Sequence, residues 1–239
     1  MRVVEAIAMA SSTTCFAGPG EPLEKHLSDV AECLTQNKIT SLIARKLSRV
    51  FSVKEEEAFD IIVLAGLVHD VGKAHQSYRG TGNNGFFPRH EYYSTVFLER
   101  LIVKAFPSVA ARISTICNLK EDSIFTVLLA STAFHHYSSK DYTGSIERLG
   151  EFQPLCDGWR NAFRTWNPSS ETGKKLREAA LELAFEKLEA SSCYNQLLSA
   201  INRQIRPRIL YAASAVLGVL NECDAEVARR NRSKAEKNY

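Results

Sequence analysis

The stretch "AFDIIVLAGLVHDVGKAH" (residues 58–75) runs almost unbroken through apolar residues and then sets His69 beside Asp70. With the residues before it, "EEEAFDIIVLAGLVHDVGKAH" (55–75), it keeps apolar positions three and four apart, which predicts a buried helix. A neutral imidazole is tolerated in a core. An ionised carboxylate there is costly unless something positive meets it. Asp70 therefore asks for an Arg or Lys, a hydrogen-bond network or a metal ion.

The same periodicity recurs on both sides. It predicts helices over 22–34, 39–51, 88–106, 120–137, 173–191 and 204–230, with Pro22 and Pro88 where first helical turns begin. No segment alternates strongly enough to predict a sheet. The irregular stretches are 79–88, rich in Gly and Asn, and 138–173, where short helices are expected around Trp159 and Phe163. The fold class read from this pattern is all-α. The 239 residues, 45% apolar and 24% charged, suit one large domain with a real core.

Composition narrows the function. No apolar run approaches the roughly 18–20 residues of a membrane span, and Glu5 interrupts the weakly apolar N-terminus, so no signal peptide is expected. Six cysteines (15, 33, 117, 156, 193 and 223) are scattered without a C-x-x-C pair. That spacing argues against a zinc ribbon or a disulfide framework and predicts free thiols in a reducing cytosol. The net charge of +3 is mild, although the tail 228–239 carries five basic residues against one acidic. That tail reads equally as a solvated helix end or as an arm that tracks phosphates.

The histidines are more informative. His26 shares a helix face with Leu23, Val30 and Leu34, and His69 lies in line with Ile62 and Ala65. His90 opens the stripe Ser94, Phe97, Leu101. His135, followed by His136, extends the stripe Ile124, Leu128, Ser131. One such histidine is ordinarily a core residue. Five at the ends of apolar stripes on four helices point to a shared pocket. Asp224 continues the stripe Leu210, Ala213, Leu217, Leu220, which aims a second carboxylate inward unless a salt bridge or helix cap takes it. His75, beyond Gly72 and without a stripe, fits a surface or supporting role. Imidazoles mixed with carboxylates suit Mn, Fe, Co, Ni or Zn better than a dedicated Ca or Mg cage. Seven groups exceed the needs of one tetrahedral ion and match two, which Asp70 could bridge. Two ions roughly 3.5–4 Å apart form a clamp for displacement at phosphorus.

The order "EPLEKHLSDV", "LVHDVGK", "RHEYYS", "HHYSSKDY" and a late Asp224 resembles the HD phosphohydrolase superfamily. Within it, the chain is similar to the stand-alone HD nuclease of type I CRISPR interference systems, from about residue 20 to 230. The resemblance implies a single compact HD-type helical domain over 1–239 that cleaves single-stranded DNA with two divalent ions. Mn, Ni, Co or Fe would serve, and Mg is possible. It implies one ion on His26, His69, Asp70 and Asp224, and the other on Asp70, His90, His135 and His136. Asp70 and Lys73 would be the catalytic residues, with Lys73 facing the scissile phosphate or stabilising the site. As a bland alternative, Lys73 is a helix C-terminal lysine. The implied partners are a separate helicase subunit and the crRNA-guided interference complex, in the cytoplasm and away from membranes. The residues agree on one point, since no G-x-x-x-x-G-K-[ST] loop is present and "PSSETGKK" (168–175) departs from it at Pro168 and Lys175. Two other readings stay open: an HD phosphohydrolase acting on a nucleotide or cyclic nucleotide, and an assembly module whose histidines are core.

Overall fold

The computed structural model describes residues 14–79, 87–118, 120–136, 151–183, 192–201 and 206–236. Its centre is the helix α3 (Glu55–Val68), buried at nearly every position after its first turn. A helix apolar all round has to sit inside a domain, while Glu55, Glu56 and Glu57 keep its N-terminal turn in water and favour the dipole. Around it pack α1 (Leu23–Gln36), α2 (Lys38–Phe51), α6 (Ile124–Phe134), α8 (Glu171–Glu182) and α10 (Pro207–Glu236). Three further helices, α4 (His90–Ala105), α7 (Trp159–Thr165) and α9 (Ser192–Ile201), pack outside these, and α5 (Ile113–Cys117) lies against α9 and α6. The fold is all-α, with the core shared among all these layers.

One acid inside the central run has a structural task. Asp60 is buried, and its Oδ2 accepts from the Ser170 N–H at 2.7 Å and the Ser170 hydroxyl at 2.6 Å. Ser170 in turn caps α8 through the Gly173 N–H. A buried carboxylate with two short donors is satisfied without a counter-ion.

Four features differ from the sequence expectations. The helix predicted over 55–75 stops at Val68, and Val71–Ala74 forms a short 3-10 turn. Gly72 lets that turn sit against α4: a Cβ there would lie 1.9 Å from the His90 carbonyl oxygen, so only glycine lets α4 approach this closely. Its N–H donates to Ser94 Oγ at 2.8 Å, which ties the turn to α4. Secondly, a small antiparallel hairpin precedes α1, pairing β1 (Phe16–Gly18) with β2 (Glu21–Pro22). Gly20, at φ 67°, supplies the left-handed turn between them. Two strands this short leave no alternation to read.

Thirdly, the cysteines are not free thiols. They pair as Cys15–Cys156, Cys33–Cys223 and Cys117–Cys193, with Cα–Cα distances of 6.1, 5.7 and 4.9 Å. Partners 76 to 190 residues apart leave no local spacing motif, which is why the sequence pattern concealed them. Finally, the buried face of α10 is rotated from the predicted stripe. Ala213 and Leu220 of that stripe are buried, but so are Ile209, Ala212, Val216, Val219, Cys223 and Val227 beside it, whereas Leu210 is 49% exposed. Asp224 therefore sits at the edge of the face. Trp159 and Phe163 do lie on a short helix, α7, and are fully buried. Most of the predicted loop 79–88 and residues 137–150 lie outside the described residues.

Candidate metal centre

The helix ends converge. His26 comes from the first turns of α1, His69 closes α3, and Asp70 follows it with φ −110° and ψ 3°. His90 is the first residue of α4, placed by Arg89 in the left-handed region at φ 62°. His135 and His136 follow the last turn of α6, and Asp224 comes from the middle of α10. All seven residues meet, in two groups that share Asp70: His26, His69, Asp70 and Asp224; and Asp70, His90, His135 and His136. Within each group the candidate ligand atoms all lie within 4.8 Å of one another.

The outward ring nitrogens fix the inward ones. The Nδ1 atoms of His69, His90 and His135 meet the carbonyls of Gly66, Phe87 and Thr132 at 2.8, 2.7 and 2.7 Å. In each case the carbonyl lies three residues earlier. A carbonyl only accepts, so each Nδ1 carries a proton and each ring is turned with its Nε2 inward. His90 Nε2 then lies 3.2 Å from His135 Nε2 and 2.9 Å from Asp70 Oδ1. That Oδ1 is fully buried and has no well-aligned hydrogen-bond donor, despite the short distance. Two imidazole nitrogens and a carboxylate oxygen thus converge, with His135 Nε2 3.6 Å from the same Oδ1. A buried carboxylate oxygen left without a donor beside two imidazole nitrogens is what a cation would satisfy. The donor set, imidazole with carboxylate, fits a divalent transition metal.

The other group is richer in charge. His26 Nε2 is 3.3 Å from Asp70 Oδ2, 3.2 Å from Asp224 Oδ1 and 3.4 Å from His69 Nε2. Burial pushes the His26 ring down, but hydrogen bonds to Asp224, Asp70 and Glu21 overcome it and raise its pKa to about 10. Burial pushes the Asp70 carboxyl up, yet Lys73, His69 and His90 hold it well below the usual carboxylate range. Asp224 is likewise pulled down, with His26 and His69 outweighing burial. In the other group, burial and then the neighbouring His135 drive His136 down to about 2, so that ring is neutral near pH 7. His90 is also lowered, chiefly by burial. Lys73 places Nζ 2.6 Å from Asp70 Oδ2 and 2.9 Å from the Ala17 carbonyl, over the Phe87 ring.

Two residues carry news. His75 is buried and lies apart from both groups, stacked on Tyr93 at 3.9 Å and bonded to the Glu151 carbonyl. It is neither a surface residue nor a ligand candidate. Glu21, which sequence reasoning passed over, is buried and receives His26 Nδ1 at 2.8 Å. Its only sequence signal is a carboxylate five residues ahead of His26, after a Gly-Pro-Gly turn.

Among family models, the one described as Cas3, HD domain matches residues 15–217. The chain belongs to the Cas3 HD-domain family. Membership makes it an HD-type, metal-dependent nuclease domain of CRISPR systems. The family match covers every candidate ligand of this Cas3 HD domain except Asp224, which lies beyond the matched residues. No curated protein matches the chain. Among the described residues of this Cas3 HD domain, no helix is long and apolar enough to cross a membrane.

Proposed function

We propose that this chain is a single HD nuclease domain that cleaves single-stranded DNA with two divalent ions, one at each ligand group. The observation that carries the reading is the convergence of two four-residue groups on one shared, buried Asp70. Ions held there supply Lewis acidity toward a phosphodiester and toward the water that hydrolyses it.

The chain's own residues prepare the site. Main-chain carbonyls behind His69, His90 and His135 hold three rings with Nε2 inward, so little reorganisation accompanies binding. Asp70 offers one oxygen to each group: Oδ2 lies toward His26 and His69, and Oδ1 toward His90 and His135. Lys73 neutralises part of the Asp70 charge and stands ready to meet a phosphate oxygen. Mn, Ni, Co or Fe suits the imidazole-rich set, with Mg possible. The domain works beside a separate helicase subunit and the crRNA-guided complex.

Cleavage of circular and linear single strands, measured across a panel of divalent metals, tests the proposal. Metal-dependent loss of the circle supports it. Efficient turnover of mononucleotides or cyclic nucleotides with both strands intact replaces it with the small-molecule phosphohydrolase reading.

A further inference from the structure

Of the rings of His26, His69, His90 and His135, three are anchored by main-chain carbonyls and one by a side chain. That exception is His26, whose Nδ1 rests on Glu21. We propose that Glu21 is a positioning residue that orients His26 and makes the His26, His69, Asp70, Asp224 group the tighter of the two metal sites. The proposal deepens the two-metal reading and rests on it.

The hairpin is built around this contact. β2 begins at Glu21, which pairs with Gly18 across the turn. Gly18 has no side chain, and a Cβ there would come 2.7 Å from the Arg232 guanidinium. Arg232 can therefore lie over the hairpin and bring Nε to 3.3 Å from Glu21 Oε2. From the same turn of α10, Asn231 Nδ2 donates to Glu21 Oε1 at 3.0 Å and to Asp29 Oδ2 at 3.0 Å. Glu21 is thus buried with donors on both oxygens, so it has one position. Its Oε1 fixes which way His26 faces.

The chemical consequence is an asymmetry. A carboxylate acceptor on Nδ1 strengthens an imidazole ligand more than a carbonyl does, and it adds negative charge beside the ion. The His26 group then has three carboxylates in or against it, counting Asp70, Asp224 and Glu21. In or against the His90 group lie two, Asp70 and Glu91, and the Glu91 Oε2 stands 3.6 Å from His90 Nδ1, beyond hydrogen-bond length, where Glu21 meets His26 Nδ1 at 2.8 Å. Two ions should therefore bind unequally. Glu21 controls the first and leaves the second almost untouched.

The full chain, stripped with a chelator and titrated with Mn(II) by calorimetry, decides the matter. Co(II) titrations followed by visible absorption give an independent signature of ligand geometry. The wild type is expected to fill in two separable steps. Glu21→Ala should weaken the tighter step by about 10–100-fold, shift the Co(II) spectrum of that step, and leave the weaker step within about twofold. Glu21→Gln, which still accepts the Nδ1 proton without the charge, should fall between Glu21→Ala and wild type. Asn231→Ala, which leaves every ligand and Glu21 in place, should weaken the same step by less than Glu21→Ala does. Far-ultraviolet circular dichroism and the metal-free thermal midpoint keep folding losses apart from binding losses. If Glu21→Gln and Glu21→Ala, both folded, bind Mn(II) as the wild type does, Glu21 has no positioning role. Equal weakening of both steps would make it a general structural residue. A wild type that binds no metal overturns the two-metal reading itself, and this proposal with it.

Discussion

Asp224→Asn separates a metal ligand from a salt-bridge partner, because the structure makes the two costs different. The Asp224 side chain is 23% exposed, and its contacts in the site are His26 at 3.2 Å and His69 at 3.7 Å. Removing its charge leaves His26 still held by Glu21 at 2.8 Å and Asp70 at 3.3 Å. A hydrogen bond to a charged group is worth about 1.5–3 kcal/mol, and loss of the repulsion between Asp70 and Asp224 offsets part of it. The metal-free variant should thus lose about 1 kcal/mol, or roughly 2–4 °C for a domain of this size. With metal the loss is larger. A hundredfold weaker site removes about 2.7 kcal/mol of metal-induced stabilisation, or roughly 5–11 °C. Asp70→Asn should differ already without metal. It leaves Lys73, 2.6 Å away and mostly buried, without its carboxylate, a loss of about 3–5 kcal/mol. Thermal midpoints with and without Mn(II), alongside cleavage of a single strand, make the comparison. An Asp224→Asn variant that cuts at the wild-type rate and keeps the full metal shift removes Asp224 from the site.

Metal binding near neutral pH should release a proton. His26, raised from 6.5 to about 10, is protonated there and must lose that proton to become a ligand. Affinity should therefore rise with pH up to about 10. The same raised pKa gives the metal-free protein a stabilising contribution that is complete below pH 6.5 and lost as pH climbs through about 10. Calorimetry in buffers of different ionisation enthalpy measures the proton, and a count of zero refutes the assignment. Reducing the three disulfides with a dithiol should lower the thermal midpoint, since each such bridge typically contributes about 2–4 kcal/mol. Identical midpoints under oxidising and reducing conditions, or free thiols in the denatured oxidised protein, would show that the pairs do not form. Gly72→Ala should destabilise by about 3 kcal/mol and weaken metal binding at the His90 group, because the new Cβ pushes on the His90 carbonyl. A variant with wild-type metal titration shows that α4 can yield there without moving His90.

Helices and ligands were legible because both obey local rules. An apolar stripe at 3.6-residue spacing identifies a buried face wherever it occurs, and a histidine at its end inherits the direction. His26, His69, His90 and His135 are all buried as those stripes implied. The same reasoning failed by a fraction of a turn on α10, where small residues blur the stripe. Ala212, Ala213 and Ser214 give little contrast, so Leu210 reads as core although it is half exposed. Asp224 still reached the site because, from the edge of the face, its carboxylate meets His26 and His69.

What escaped the sequence was pairing between distant segments. Whether a thiol is free depends on what faces it, and Cys33 on α1 meets Cys223 on α10 across 190 residues. The same two helices bring His26 to Asp224, and the residue joining them covalently is the neighbour of that ligand. A histidine next to an apolar stripe already suggests a pocket, but a cysteine there looks like any small apolar residue. Glu21 was hidden for a related reason. Its partners Asn231 and Arg232 lie at the other end of the chain, in the basic stretch read as a solvated tail or a phosphate arm. Part of that stretch has a third use: it closes over the hairpin and holds the carboxylate that holds His26. Long-range contacts of this kind have no period. They become visible only when the helices that the periods predict are packed together.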